Sequence, residues 1–219
     1  MSGEDRMRAI MYSDRPPSSY ADVVRFLASH SGPWIIIAWV AIAILWKSIF
    51  ELWGFADILI IVGIISVRGV IEWLLHVYLH HARPIPLLGI RIKTEIYFMH
   101  LEHHRQPNDL GSFLFKGKSL MGAILLSFIV FMVLPLSLSI ELSLLIGFLV
   151  AVLIQETAHV ICHSSIQPKW PFLREIISLH RRHHHEDASR DMGVSSMLGD
   201  RLFGSLNKNE SKDTGREPG

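Results

Sequence analysis

The chain has 219 residues, half of them apolar, with a formal charge of +1. So even a balance offers no basic surface for nucleic acid, and the single cysteine, Cys162, rules out an internal disulfide. Polar residues fill roughly the first thirty positions, so the start does not read as a cleavable signal peptide.

Residues 1–31 read as a cytosolic segment. Within it, Ser19–His30 predicts a short amphipathic helix, with Ser19 and Asp22 as a cap pair and Val23, Phe26 and Leu27 on its apolar side. Such a helix suits a membrane surface. Residues 32–206 form the main domain. Its apolar blocks, at about 33–50, 55–79, 120–140 and 142–161, approach the roughly twenty residues a helix needs to cross the hydrocarbon core. Trp34, Trp39, Trp46 and Trp53 sit in or near the first block, where indoles favour the interface. A soluble bundle would need polar faces, and the block at 120–140 has almost none. The tail, 207–219, is charged, poor in apolar residues and expected to be disordered.

Basic residues orient these spans. Arg6, Arg8, Arg15 and Arg25 precede the first block; Arg83, Arg91, Lys93, Arg105, Lys116 and Lys118 fall between the second and third. The segment after the fourth block is also rich in Lys and Arg, whereas the other two connectors hold little beyond Lys47 and Glu141. The positive-inside rule then puts both termini and the middle connector in the cytoplasm. A bacterial cytoplasmic membrane and the endoplasmic reticulum are both compatible settings.

Twelve of the 13 histidines fall in four groups: His76 with His80 and His81; His100, His103 and His104; His159 and His163; and His180, His183, His184 and His185. His30 stands alone. Spacings of three and four residues gather side chains on one helix face, and neutral imidazole binds iron, zinc and copper. One such group could be an accidental basic patch. Two copies of His-x-x-His-His, each preceded by paired histidines, are not explained that way. Ten or more convergent imidazoles exceed the needs of one ion and predict a two-metal centre at the cytoplasmic ends of the second and fourth spans. The fold class expected is therefore all-α and integral to the membrane: four transmembrane helices with a cytosolic helical cap carrying a histidine-rich dimetal site.

Two carboxylates share faces with these histidines. Arg68, Glu72, His76 and His80 recur every four residues, and Glu156 precedes His159 and His163. Glu72 and Glu156 could each accept a ring N–H and fix a tautomer, or Glu72 could pair with Arg68. A centre of imidazoles differs from thiolate zinc sites and from the Glu-rich sites of soluble di-iron bundles. Neither a Gly-x-Gly-x-x-Gly run nor a phosphate-cradling loop is found, so nicotinamide and ATP are not expected to bind here. A redox-active metal pair at a membrane edge suits activation of O2 against a lipid.

Glu72-Trp-Leu-Leu-His76 with His81, His100-Leu-Glu-His-His-Arg-Gln-Pro107, His159-x-x-x-His163 and His180-Arg-Arg-His-His184 together resemble the fatty acid hydroxylase superfamily. Gly193-Val-Ser-Ser-Met-Leu-Gly-Asp-Arg-Leu-Phe-Gly204 is similar to a segment of its fatty acid 2-hydroxylase branch. The resemblance covers roughly residues 55–205 and implies ten ligands: His76, His81, His100, His103, His104, His159, His163, His180, His183 and His184. His80 and His185 stay undecided between ligands and supporting residues, because helical spacing alone favours His76 with His80. It further implies a lipid hydroxylase of the monooxygenase type, with two iron ions in the working enzyme, zinc possible in the isolated protein, and O2 as co-substrate. The larger members carry a fused haem domain, for which the N-terminal segment is too short. Electrons are thus expected from a separate reductase, ferredoxin or b-type cytochrome. 2-Hydroxylation of a fatty acyl chain is the expected reaction; carotenoid or sterol oxidation by the same centre, and a non-catalytic metal-handling protein, are the alternatives. Phe98, Met99, Phe113 and Phe115 are candidates to line an acyl pocket, with simple packing at the membrane surface as the alternative that the residues favour for each.

Overall fold

The computed structural model describes residues 16–81, 85–87, 90–92, 95–110 and 135–207, with scattered positions between 114 and 133. The described chain is helical apart from one antiparallel hairpin: α1 Tyr20–Ala28, α2 Ser31–Ile49, α3 Phe55–Leu75, β1 Ile85–Leu87, β2 Ile90–Ile92, α4 Glu95–Arg105, α5 Leu138–Cys162, α6 Pro171–His185 and α7 Leu198–Phe203.

Among the described residues, three helices are long and apolar enough to cross a membrane: α2, α3 with its continuation to His80, and α5. Half of the apolar window of α5 is buried, 50% against 11% for α3, which makes α5 the central helix and leaves α3 largely exposed on the outside. The fourth expected span, at 120–140, lies mostly outside the described residues. Leu120 and Ile124 from it pack with Ile36, Leu145, Leu149 and Val152. The expected connector at Glu141 is instead the buried first turn of α5, begun by Ser137, whose hydroxyl accepts the Ile140 N–H.

At the end of the bundle away from the histidines, a polar lock ties the three spans together. Lys47 and Asp57 are 0% and 4% exposed, and the ammonium donates to Asp57 Oδ1 at 2.9 Å and to the Ser139 carbonyl and hydroxyl. The hydroxyls of Ser139 and Ser143 donate to the same carboxylate oxygen at 2.8 Å. A charge buried in a membrane helix is tolerated only when paired in this way.

In α1 the predicted capping box forms: Ser19 accepts the Asp22 N–H, and the Asp22 carboxylate accepts the Ser19 N–H. Its apolar side does not lie against lipid. Val23 and Phe26 are buried against Leu110, Leu114, Val160 and Ile166, beside the inner end of α5. Cys162 serves as a small packing residue among Ile176, Ile177, Leu179 and Met197.

Candidate metal centre

The histidines assemble into two sets of five. The first joins His76, His81, His100, His104 and His183; the second joins His103, His159, His163, His180 and His184. Within each set one nitrogen per ring lies within 4.8 Å of all the others. His80 and His185 belong to neither: the His80 ring meets the Leu75 carbonyl at 3.2 Å, and His185 is exposed.

Each His-x-x-His-His motif is divided between the sets. In α4 the four-residue pair His100 and His104 serves the first set while His103 crosses to the second. In α6 the pair His180 and His184 serves the second while His183 crosses to the first. At 3.6 residues per turn, position i+4 is turned about 40° from i and i+3 about 60° the other way, so one motif can serve two neighbouring centres, and the facing helices decide which ring goes to which. On α5, His159 and His163 are one ordinary turn apart. On α3 the pair is His76 and His81, five residues apart, and a π-helical turn at His76–His80 makes them share a face: the His81 N–H donates to the His76 carbonyl at 2.9 Å. Such a turn inserts one residue into the helix and is frequent at functional sites.

Ring nitrogens approach edge to edge. In the first set Nε2 separations are 3.0 Å for His76 and His100, 2.9 Å for His100 and His81, 2.9 Å for His104 and His100, and 3.1 Å for His81 and His183. In the second they are 3.1 Å for His103 and His159 and 2.9 Å for His163 and His180. An ion bound at about 2.1 Å from each nitrogen holds donors at right angles about 3.0 Å apart, so both sets have the spacing of a ligand shell.

Protonation points the same way. The Nδ1 atoms of His76 and His183 face the carbonyls of Met192 and Arg190, at 2.5 and 2.8 Å. A carbonyl can only accept, so each proton sits on Nδ1 and each Nε2 turns a lone pair to the centre. Burial, with the neighbouring rings, pushes His81 and His163 down to about 3 and His104 to about 4, and holds His100, His180 and His184 below the usual histidine range; for His183 burial does so against the opposing pull of the Arg190 carbonyl and nearby carboxylates. Neither ring nitrogen of His184, nor Nδ1 of His180, has a hydrogen-bond partner among the described residues. Convergent neutral imidazoles with lone pairs facing inward repel one another until a cation lies between them. The residues fit two metal ions.

The profile of fatty acid hydroxylases matches residues 60–205. The chain belongs to the fatty acid hydroxylase family. It is 28% identical over 136 residues to the rat (Rattus norvegicus) fatty acid 2-hydroxylase, covering 62% of this chain and 36% of that protein. It is 27% identical over 150 residues to the Arabidopsis thaliana dihydroceramide fatty acyl 2-hydroxylase FAH2, covering 66% and 61%. The chain thus spans about a third of the rat protein and three fifths of the plant one. The solved structure of full-length Scs7p, in which only the hydroxylase domain is visible, superposes with a TM-score of 0.62 at 26% identity, over 80% of this chain and 66% of that one.

Within this member of the family the carboxylates work differently from the sequence expectation. Glu72 does not receive the His76 ring N–H. It accepts the backbone N–H of Val194, that of Ser195 at 2.8 Å and the Ser195 hydroxyl at 2.6 Å. Arg68 is not its direct partner either: the guanidinium donates to the Ser195 hydroxyl and carbonyl, both at 3.2 Å, so Ser195 stands between the two charges. Glu156 is buried one turn before His159 and lies outside both sets.

Glu72 therefore holds a loop, and the loop holds histidines. Asp200 clamps the same segment by accepting the N–H groups of Met192 and Gly193 at 2.8 and 2.7 Å. Asp191, with φ +53°, occupies the left-handed region that Asp tolerates better than most residues. This turns the chain between the two carbonyls, Arg190 and Met192, that orient His183 and His76. The loop also packs tightly on α3. A Cβ at Gly199 would lie 2.3 Å from Trp73 Cβ and 2.6 Å from the Gly69 carbonyl. The motif Gly193–Gly204 is legible in the sequence as a family segment, but nothing in its spacing signals that its carbonyls aim ligands.

Of the pocket candidates, Phe98 is exposed, Met99 is half-buried, and Phe113 and Phe115 lie outside the described residues.

Proposed function

We propose that this chain is a membrane-bound monooxygenase domain that hydroxylates a lipid, with position 2 of a fatty acyl chain as its target, and that it serves lipid biosynthesis. The observation that carries the proposal is the pair of five-imidazole sets with ligand-shell spacing, in a chain of this family. His76, His81, His100, His104 and His183 hold one iron ion, and His103, His159, His163, His180 and His184 the other. The iron pair supplies the redox chemistry that an acyl C–H bond requires, and zinc can take its place in isolated protein without that chemistry.

The stoichiometry fixes what else is needed. One atom of O2 enters the C–H bond and the other leaves as water, consuming two electrons and two protons. Imidazoles held neutral by burial serve as ligands and not as proton donors, so those protons come from elsewhere. The electrons come from a separate carrier on the cytoplasmic side, where both termini also lie. The spans present the acyl chain from the bilayer, and the carbonyls of Met192 and Arg190 keep His76 and His183 aimed as it approaches.

Mass spectrometry of lipid extracts from a host with and without the gene tests the reading. A 2-hydroxy acyl species that depends on the gene and on His103 supports it. A hydroxylated carotenoid or an altered sterol in its place would move the substrate, and no lipid change together with metal accumulation would remove the enzymatic reading.

A further inference from the structure

One face of α6 is used for something other than the metals. Positions 180, 183 and 184 point inward, while Arg174, Ser178, Arg181 and His185 are exposed along the outer face at helical spacing. They border a groove of about 420 Å³ between α6 and the loop at 166–168, lined also by Arg182 and Glu186. With Arg182 neutralised by Asp191, the guanidiniums of Arg174 and Arg181 face the single carboxylate of Glu186 and leave the groove positive. Arg181 is held in place by a bond to the Ser164 carbonyl at 3.2 Å, and Arg182 by Asp191 at 3.5 Å. Arg174 stands exposed at the rim.

The position limits what this groove can serve. The backbone of α6 separates it from the histidine sets, so a substrate seated there could not touch the metals. An electron needs no such contact. The rings of His185, in the groove, and His184, in the second set, are 6.3 Å apart between centroids, and the whole helix is only about 10 Å thick. Planar guanidiniums in a fixed array match surface carboxylates.

Resting on the monooxygenase reading above, we propose that this groove is the docking site of an acidic electron carrier, which delivers its electrons through α6 to the second set. The carrier is oxidised by one electron per encounter, and two encounters complete a turnover.

Binding tests the proposal without turnover. The full chain, loaded with iron in phosphatidylcholine nanodiscs, is titrated with the soluble, acidic haem domain of a b-type cytochrome. Arg174→Glu with Arg181→Glu should raise Kd about 10-fold at low salt, and added salt should weaken the wild type by a similar factor. Arg174→Lys with Arg181→Lys, which keeps the charge, should stay within about threefold of wild type. Unchanged iron content in each variant shows that the fold is intact. A Kd for the charge-reversed protein within about twofold of wild type, iron retained, would overturn the docking site. So would a charge reversal that spares the cytochrome and abolishes only the binding of phosphatidylglycerol vesicles, because the groove would then read lipid headgroups. A chain that binds the cytochrome through the groove but hydroxylates no lipid would instead break the monooxygenase reading and leave the groove standing.

Discussion

The two histidine sets are built from the same parts and held differently. Each takes two residues from the end of a long apolar helix, a four-residue pair from one of α4 and α6 and a single crossing residue from the other. The second set draws those two residues, His159 and His163, from regular α-helix on the central, half-buried α5. The first draws His76 and His81 across a π-helical turn that continues α3, the least buried of the three long apolar helices. Two of its rings, His76 and His183, are aimed by carbonyls of a loop that Glu72 and Asp200 clamp. Similar ligand shells can thus rest on unequal foundations, and the first set should fail more readily when the C-terminal segment is disturbed.

The largest expected effect falls on both sets alike. Alanine at His183 or at His103 should each abolish lipid hydroxylation, while His30→Ala, whose ring bonds only locally to Phe26 and Ser29, should leave it intact. Residual turnover in either ligand variant, measured as hydroxylated product per chain, would mean that one set suffices.

Next comes the far end of the bundle. Lys47→Met leaves the buried Asp57 carboxylate without its cation and should destabilise the protein by about 3–5 kcal/mol. Thermal unfolding should register the loss while the metal content of the folded fraction stays unchanged. The double change Lys47→Met with Asp57→Asn should recover much of the stability. Metal loss in the single variant would show that the lock and the centre are coupled.

Asp200→Asn sharpens the comparison itself. The new amide would set an N–H against the N–H of Met192 or Gly193, loosening the loop behind His76. Metal affinity of the first set should fall about 10- to 100-fold, the usual consequence of losing a partner behind a ligand. The second set should hold, so a competition titration that has one phase in the wild type should split into two. A single phase shifted as a whole would show that the sets do not differ in their support.

The smallest effect is expected at Gly199→Ala. The added methyl presses on Trp73 and on the Gly69 carbonyl, and overpacking of this kind costs about 1–3 kcal/mol. A lower melting temperature with a modest loss from the first set is the expected outcome. A variant as stable as wild type would mean that α7 shifts away from α3 freely.

Much of this was legible in the residues, for physical reasons. Helical spacing made convergence of His100 with His104, and of His180 with His184, unavoidable, and the apolar blocks announced α2, α3 and α5. The division of each motif between two sets was not legible, because it depends on which helices face each other across the centre. His81 over His80 could be drawn from family resemblance but not from spacing, since the π-helical turn has no sequence signature strong enough to override i and i+4. Glu72 misled for a similar reason. It shares a face with His76, yet buried carboxylates take the best donors available, and two backbone N–H groups and a hydroxyl from more than a hundred residues away surround it. Lys47 read only as a charge in a connector; its direct pairing with Asp57, and the bonds of Ser139 and Ser143 to the same carboxylate oxygen, depend on how the three helices pack.

Metal stoichiometry bears most directly on the central claim of two ions in two sets. Purified protein, reconstituted anaerobically with ferrous iron and freed of loosely bound metal, should hold two ions per chain by elemental analysis. His183→Ala and His103→Ala should each retain about one. A fully active wild-type chain with a single bound ion would contradict the account.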